Sequence, residues 1–393
     1  MDQVHSSLTT RTDSSTGKSE TPANKFSLLE HISGYGRELF ISNFLTFIST
    51  TKAYVPFVKE AFKSLGLPWS FTEVIREFKH TDLTFVDDDK NILLVVENKA
   101  GDKASRQQLE KYIADKAIKD AGRHILISPL EVDSYVAKAA DWDFISYEKL
   151  ANALIDAFKK VPNSHQTFEY EFLLLVLEYM ATLGQEATNA VNAITPDSKI
   201  GGLSDGIDAK LMCYTDTKKE LRRKLLGYAG VCSMLNEKLK NSGSNISANL
   251  SKGMRGEAIV EIMIPMFDGN EFYCQFQNDH LSFGFCKIMD GKFSKPAKDK
   301  RIPVLQSAWK ETFNGPKKIK LIFEAFGKNG IEYENFPTLE DIMGMEIKQG
   351  YINPYYIMPM LHLAKKPKMT VGTLTDIMAS IAQGAEKLMK VSK

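Results

Sequence analysis

An apolar run, Ile92-Leu93-Leu94-Val95-Val96, ends directly on Glu97-Asn98-Lys99. A short run that is apolar at every position reads as a strand covered on both faces, and so as an interior strand of a layered fold. Such a strand has no packing reason to stop on an acid and a base. Glu97 and Lys99 lie two apart, on one side of the strand. Upstream, Thr81-Asp82-Leu83-Thr84-Phe85-Val86 is a second run, and Asp87-Asp88-Asp89-Lys90-Asn91 is a polar turn between the two. The pair predicts antiparallel strands joined by that turn.

An aspartate, a gap and then Glu-x-Lys resembles the PD-(D/E)XK nuclease superfamily, over roughly residues 30–150. After Lys99 a polar loop leads to Gln107-Gln108-Leu109-Glu110-Lys111-Tyr112. This is similar to a bacterial branch in which Glu-x-Lys is followed by a Gln-Leu-x-x-Tyr helix. The residue before Asp82 is Thr81 rather than proline, and proline is often absent there in the superfamily. The resemblance implies a restriction-endonuclease-like fold and phosphodiester hydrolysis. That chemistry needs charge stabilisation on the phosphate and an activated water. A hard divalent ion, Mg2+ or Mn2+, provides both and takes oxygen ligands. On the resemblance, Asp82 and Glu97 supply two carboxylates and the Asn98 backbone carbonyl a third ligand. Lys99 orients or deprotonates the water, with its pKa lowered by the metal. A glutamate on an N-terminal helix near the metal corresponds to Glu38, in Arg37-Glu38-Leu39-Phe40, and a site glutamine to Gln108. Tyr112, one turn later, fits core as well as site. A plainer reading stands beside this: Glu-x-Lys also ends solvated strands or forms cross-strand ion pairs, and Glu38 also reads as a surface partner of Arg37.

A formal charge of +1 over 393 residues excludes a global basic field, so nucleic-acid contacts must come from local patches. Lys218, Lys219, Arg222, Arg223 and Lys224 form the densest basic run, on a helix expected over 215–239. Lys295, Lys298 and Arg301 lie on a Pro-containing loop with Lys292 and Lys300. For the helix run a solvated face is the default reading and a grip on a nucleic-acid backbone the alternative, whereas the loop reads equally as either. Arg76, Lys79 and His80 stand close to Asp82, and Lys79 or His80 is a further candidate for phosphate contact.

The four cysteines, Cys213, Cys232, Cys274 and Cys286, form no CxxC pair, so a zinc site is not indicated and free thiols in a reducing cytoplasm are expected. No segment approaches a membrane helix in apolar length, and no apolar signal core stands at the N-terminus.

Four regions are expected: a polar disordered tail over 1–24, a nuclease-like domain over 25–160, a helical region over 161–250 and an α+β accessory domain over 251–393. In the second region, helices over 26–47 and 53–65 precede strands over 69–78, 81–86 and 92–96. A helix over 104–119, a strand over 123–128, a helix over 132–140, a strand over 142–147 and a helix over 148–159 follow. This is a mixed sheet between helices. The helix over 166–194 carries too many apolar residues for one stripe, so it is buried on most sides or pairs with a second copy as a homo-oligomer. Residues 241–251 read as a linker, 257–288 as a three-stranded meander and 374–391 as a terminal helix. Between these, a helix over 304–312, a strand over 317–326 and a loop with a short helix over 333–345 are expected. No Walker or GxGxxG motif is present, so no nucleotide-driven translocation is implied.

The reading is a metal-dependent nuclease, with DNA the expected substrate because most of the superfamily acts on DNA. Members of this kind are linked to restriction, repair or defence against phage. A regulatory partner is expected because a free nuclease is toxic to its own cell. Two alternatives stay open: a silent nucleic-acid-binding or assembly module on the same fold, and an RNA-directed nuclease.

Overall fold

The computed structural model describes residues 26–33, 36–100, 104–160, 167–205, 207, 216–252, 257–265, 270–278, 280–287, 352–353, 356–357, 360–362 and 369–391. Helices α1 (Ser27–Ser33), α2 (Arg37–Thr50) and α3 (Val55–Ser64) lead into β1 (Glu73–Arg76), β2 (Leu83–Val86) and β3 (Ile92–Asn98). Then come α4 (Arg106–Ile113), α5 (Lys116–Lys119), β4 (His124–Ser128), α6 (Asp133–Ala139), β5 (Asp143–Ser146) and α7 (Tyr147–Phe158). The five strands form one sheet in the order β1-β2-β3-β4-β5. β1, β2 and β3 pair antiparallel, while β3, β4 and β5 pair parallel. The interior position expected for the 92–96 run is thus observed.

Helices cover both faces of this sheet, which is why β3 is apolar on both sides. Leu83, Phe85, Leu94, Val96, Ile125 and Ile127 point into a core shared with α2, α3 and α7. Val95 and Leu126 point the other way, onto Leu109, Ile118 and Val136 of α4, α5 and α6. Successive strand residues alternate faces, so the same alternation sends Asn98 towards α2 and Glu97 towards α4.

One helix was expected over 104–119, but two are present. Asp115 ends the first by capping the second, accepting a hydrogen bond from the Ala117 N–H at 3.0 Å. A short acidic side chain competes for backbone donors in this way and favours a cap over a helix interior. The strand expected over 69–78 is confined to β1. It gives way to a turn in which Glu77, Lys79 and His80 all adopt positive φ, at 56°, 53° and 71°.

Beyond residue 166, α8 (Phe168–Asn192) and α9 (Asp216–Asn241) lie side by side, and α8 also packs on α7. The apolar excess of α8 is therefore taken up within the chain: Leu173, Val176, Leu177, Met180 and Leu183 are buried, so these residues need no second copy to cover them. Phe168, at its start, is 85% exposed. A second, antiparallel sheet contains β6 (Ala248–Lys252), β7 (Ala258–Pro265), β8 (Asn270–Gln277), β9 (His280–Lys287), β10 (Ile352–Asn353), β11 (Tyr356–Ile357) and β12 (Met360–His362). Its order is β10-β11-β9-β8-β7-β6, with β12 also on β9. α9 and α10 (Val371–Val391) pack on it.

The linker expected over 241–251 is corrected. Its second half is β6, which pairs with β7 from Ala248↔Ile262 to Lys252↔Ala258 and buries Ala248 and Leu250. The expected division at 250/251 falls inside that strand. The elements expected over 304–312, 317–326 and 333–345, and the tail over 1–24, lie outside the described residues.

Candidate active site

The C-terminal end of β3, the N-terminal end of β2 and the first turn of α2 converge. Antiparallel pairing of Leu83 with Val96 sets Asp82 beside the Glu97–Lys99 segment, and the Asn98 backbone N–H donates to Asp82 Oδ2 at 2.7 Å. α2 approaches from the side and contributes Glu38 from its first turn. Glu38, Asp82 and Glu97 each offer a carboxylate oxygen within 4.8 Å of the other two, the arrangement of a hard-cation site.

Lys99 ties this cluster together. Its Nζ lies 2.8 Å from Glu97 Oε1 and 3.0 Å from Glu38 Oε1, and its side chain is largely buried. Gln108, on α4, donates to the same Glu97 Oε1 at 2.9 Å and to the Tyr112 hydroxyl at 2.6 Å. Both donors take one oxygen. Glu97 Oε2 is buried and, among the described residues, has no hydrogen-bond partner. A buried carboxylate oxygen left bare costs free energy unless a cation or donor meets it.

The electrostatics follow from burial. Burial pushes the Glu97 carboxyl up to about 7, against the attraction of Lys99 and with a further push from Asp82. Burial likewise raises Glu38, with Lys99 opposing, and raises Asp82, with the Asn98 N–H, Lys99 and Arg76 opposing. For Lys99, burial acts to lower the pKa, but the attraction of Glu97 and Glu38 together outweighs it and the pKa is raised. The protein's own field thus holds Lys99 as an ammonium.

Of the expected site residues, Glu38, Asp82, Glu97, Asn98, Lys99 and Gln108 are brought together. The buried residues that sequence reasoning missed are Ser42 and Tyr147, both bonded to the Asn98 side chain. Neither lies in a motif. The available signal was Asn98 itself, an amide that strand alternation turns into an apolar face. Lys79 is exposed and pairs with Asp115 at 3.4 Å, and His80 is exposed.

The basic run on α9 is not a uniform solvated face. Arg222 is only 5% exposed, because it shares the inward side of the helix with Leu226 and Ala229, one and two turns on. A buried guanidinium there does not reach a nucleic-acid backbone, so Arg222 is withdrawn from the expected contacts. Arg223 is half-buried and Lys224 is exposed. The side chains of Lys218 and Lys219, and all of Lys295, Lys298 and Arg301, lie outside the described residues.

A five-stranded mixed sheet between helices, with Glu97 and Lys99 at the end of its central strand and Asp82 and Glu38 brought beside them, is consistent with a restriction-endonuclease-like fold. Residues 35–179 match the family model of the PD-(D/E)XK nuclease superfamily. No curated protein and no solved structure matches the chain. Among the described residues, no helix is long and apolar enough to cross a membrane.

Proposed function

We propose that this domain is a divalent-metal-dependent nuclease acting on DNA. The reading is carried by the convergence of Glu38, Asp82 and Glu97 within 4.8 Å, around a buried Glu97 oxygen that no group among the described residues satisfies. An all-oxygen donor set suits Mg2+ or Mn2+. Asp82 and Glu97 would hold the ion, with Glu38 and the Asn98 backbone carbonyl completing the protein's share. When bound, the ion would stabilise phosphate charge and activate a water.

The chain's own residues have separable tasks. Gln108 holds Glu97 by one oxygen and so leaves the other for the cation. The Asn98 N–H holds Asp82 in the same way. Lys99 offsets the charge of the cluster and would sit against the phosphate and the attacking water. Glu38 keeps Lys99 in place from the side of α2. DNA is proposed on the ground that most of the superfamily acts on it, and a place in restriction or defence against phage on the same ground.

The test is cleavage of supercoiled plasmid, linear duplex, single-stranded DNA and RNA, by wild type and Lys99→Ala, with Mg2+, Mn2+ or EDTA. DNA cutting that needs the ion and is lost in Lys99→Ala supports the reading. Cutting of RNA alone would move the substrate to RNA. Duplex binding without cutting, unchanged in Lys99→Ala, would leave a silent binding module.

A further inference from the structure

The Asn98 side chain uses its polar atoms in a way the proposed chemistry does not require. Its Nδ2 donates to the Glu38 backbone carbonyl at 2.9 Å and to Ser42 Oγ at 2.9 Å. Its Oδ1 accepts from the Tyr147 hydroxyl at 2.5 Å. Asn98, Ser42 and Tyr147 are each 0% exposed. The other residues that β3 sends to this face, Leu94 and Val96, are apolar and belong to the core. A buried amide among them is costly to leave unpaired, and this one is paired on every side.

The partners come from separate parts of the chain. Glu38 and Ser42 belong to α2, Tyr147 opens α7, and Asn98 also holds Asp82 through its backbone N–H. One residue therefore joins the strand carrying Glu97 and Lys99 to the helix carrying Glu38 and to the carboxylate of Asp82. Packing alone would leave α2 free to slide by a fraction of an ångström against the sheet. Two directional hydrogen bonds from Asn98 to successive turns of α2 remove that freedom. The Tyr147 hydroxyl sets the rotation of the amide, because only one amide orientation offers its oxygen to Tyr147 and its nitrogen to α2.

We propose that Asn98, oriented by Tyr147 and anchored by Ser42, is a positioning residue that sets where the Glu38 carboxylate stands relative to Asp82 and Glu97, and thereby the preference of the site for Mg2+ over larger cations. The inference rests on the metal-dependent reading above. Mg2+ demands near-ideal ligand geometry, whereas Ca2+ accepts variable coordination. Loosening Glu38 therefore penalises Mg2+ selectively.

The experiment is calorimetric titration of the full chain with Mg2+ and, separately, with Ca2+, at a temperature where each variant is folded by circular dichroism. In Tyr147→Phe and in Ser42→Ala, the Mg2+ dissociation constant is expected to rise on the order of ten-fold, as for other outer-shell partners of a metal site. The Ca2+ constant is expected to stay within about two-fold. Gly227→Ala, where an added Cβ would meet the Leu203 carbonyl oxygen at 2.6 Å, away from the site, controls for loss of stability as such. It should leave the Mg2+ constant unchanged. Equal loss of both ions, or an unchanged Mg2+ constant in folded Tyr147→Phe or Ser42→Ala, overturns the positioning role. Ser42→Ala decides the matter if Tyr147→Phe does not fold. Wild type that binds neither ion overturns the metal-dependent reading itself, a result distinct from any pattern among the variants.

Discussion

Gly184 lies where α8 crosses the N-terminus of α7. A Cβ placed on it would stand 2.8 Å from the backbone nitrogen of Glu148, 3.1 Å from Glu148 Cβ and 3.4 Å from Glu148 Cα. The nearest of these is backbone, so no side-chain rotation relieves the clash. Gly184→Ala therefore pits two effects against each other. Alanine inside a helix is favoured over glycine by about 1 kcal/mol. Forcing a methyl group into a closed helix contact costs about 1–3 kcal/mol. At 2.8 Å from a backbone atom the cost falls in the upper half of that range, so the clash wins, for a net loss of about 1–2 kcal/mol, or about 2–8 °C in Tm for a domain of this size. Urea titration and thermal melts of Gly184→Ala measure it. Gly201→Ala is the control, because nothing lies within 4 Å of a Cβ there. Its stability should remain within about 0.5 kcal/mol of wild type. The displacement also reaches the site, since Tyr147 immediately precedes Glu148 and its hydroxyl holds Asn98. A weaker Mg2+ affinity should accompany the lower Tm. Gly184→Ala melting at or above wild type would refute the close crossing of α7 and α8.

Glu97→Gln should abolish metal-dependent cleavage. In EDTA it should also stabilise the fold by about 1–2 kcal/mol, because a neutral amide replaces a buried carboxylate with one oxygen that meets no donor among the described residues. Melts in EDTA check the sign, and a less stable variant would show that Glu97 is held by its protein partners alone. The Tyr54 hydroxyl donates to Glu169 Oε1 at 2.7 Å, and burial followed by that carboxylate pushes its pKa up to about 12. A pKa raised on folding stabilises the fold below the unfolded value near 10, and that contribution is lost as pH rises towards about 12. Wild type should therefore lose more Tm than Tyr54→Phe over that window, and parallel curves would remove the tie between α3 and α8. Cys232 and Cys274 are buried, and burial pushes both thiols well up, Asp133 adding to the effect at Cys232. In a Cys213→Ser, Cys286→Ser variant, alkylation under native conditions should be slow and should accelerate with denaturant through the unfolding transition. Fast native labelling would contradict the packing of α9 on the second sheet.

Much of the candidate site was legible because its signal is local. A fully apolar strand ending on Glu97 and Lys99 breaks its own pattern, and an acid on the preceding antiparallel strand is brought alongside by a short turn. Gln108 and Tyr112, one helical turn apart, follow the same logic. Arg222 misled because a basic run reads as a surface. Helical phase, which runs Arg222 into line with Leu226 and Ala229, places it inside instead. β6 was passed over because a polar, Asn- and Ser-rich stretch carries little strand signal until β7 offers a partner.

By itself, the sequence determined the order of strands in the first region, the interior place of β3, and the identity of the acid and the lysine at its end. These depend on periodicity and on the few residues around a turn. Only the tertiary structure decided that Glu38 meets Asp82 and Glu97 within 4.8 Å, that one Glu97 oxygen meets no donor among the described residues, and that Asn98 is locked between Glu38, Ser42 and Tyr147. Those contacts join residues far apart in the chain. No local pattern encodes their distances, because they are set by how α2 and α7 come to rest on one face of the sheet.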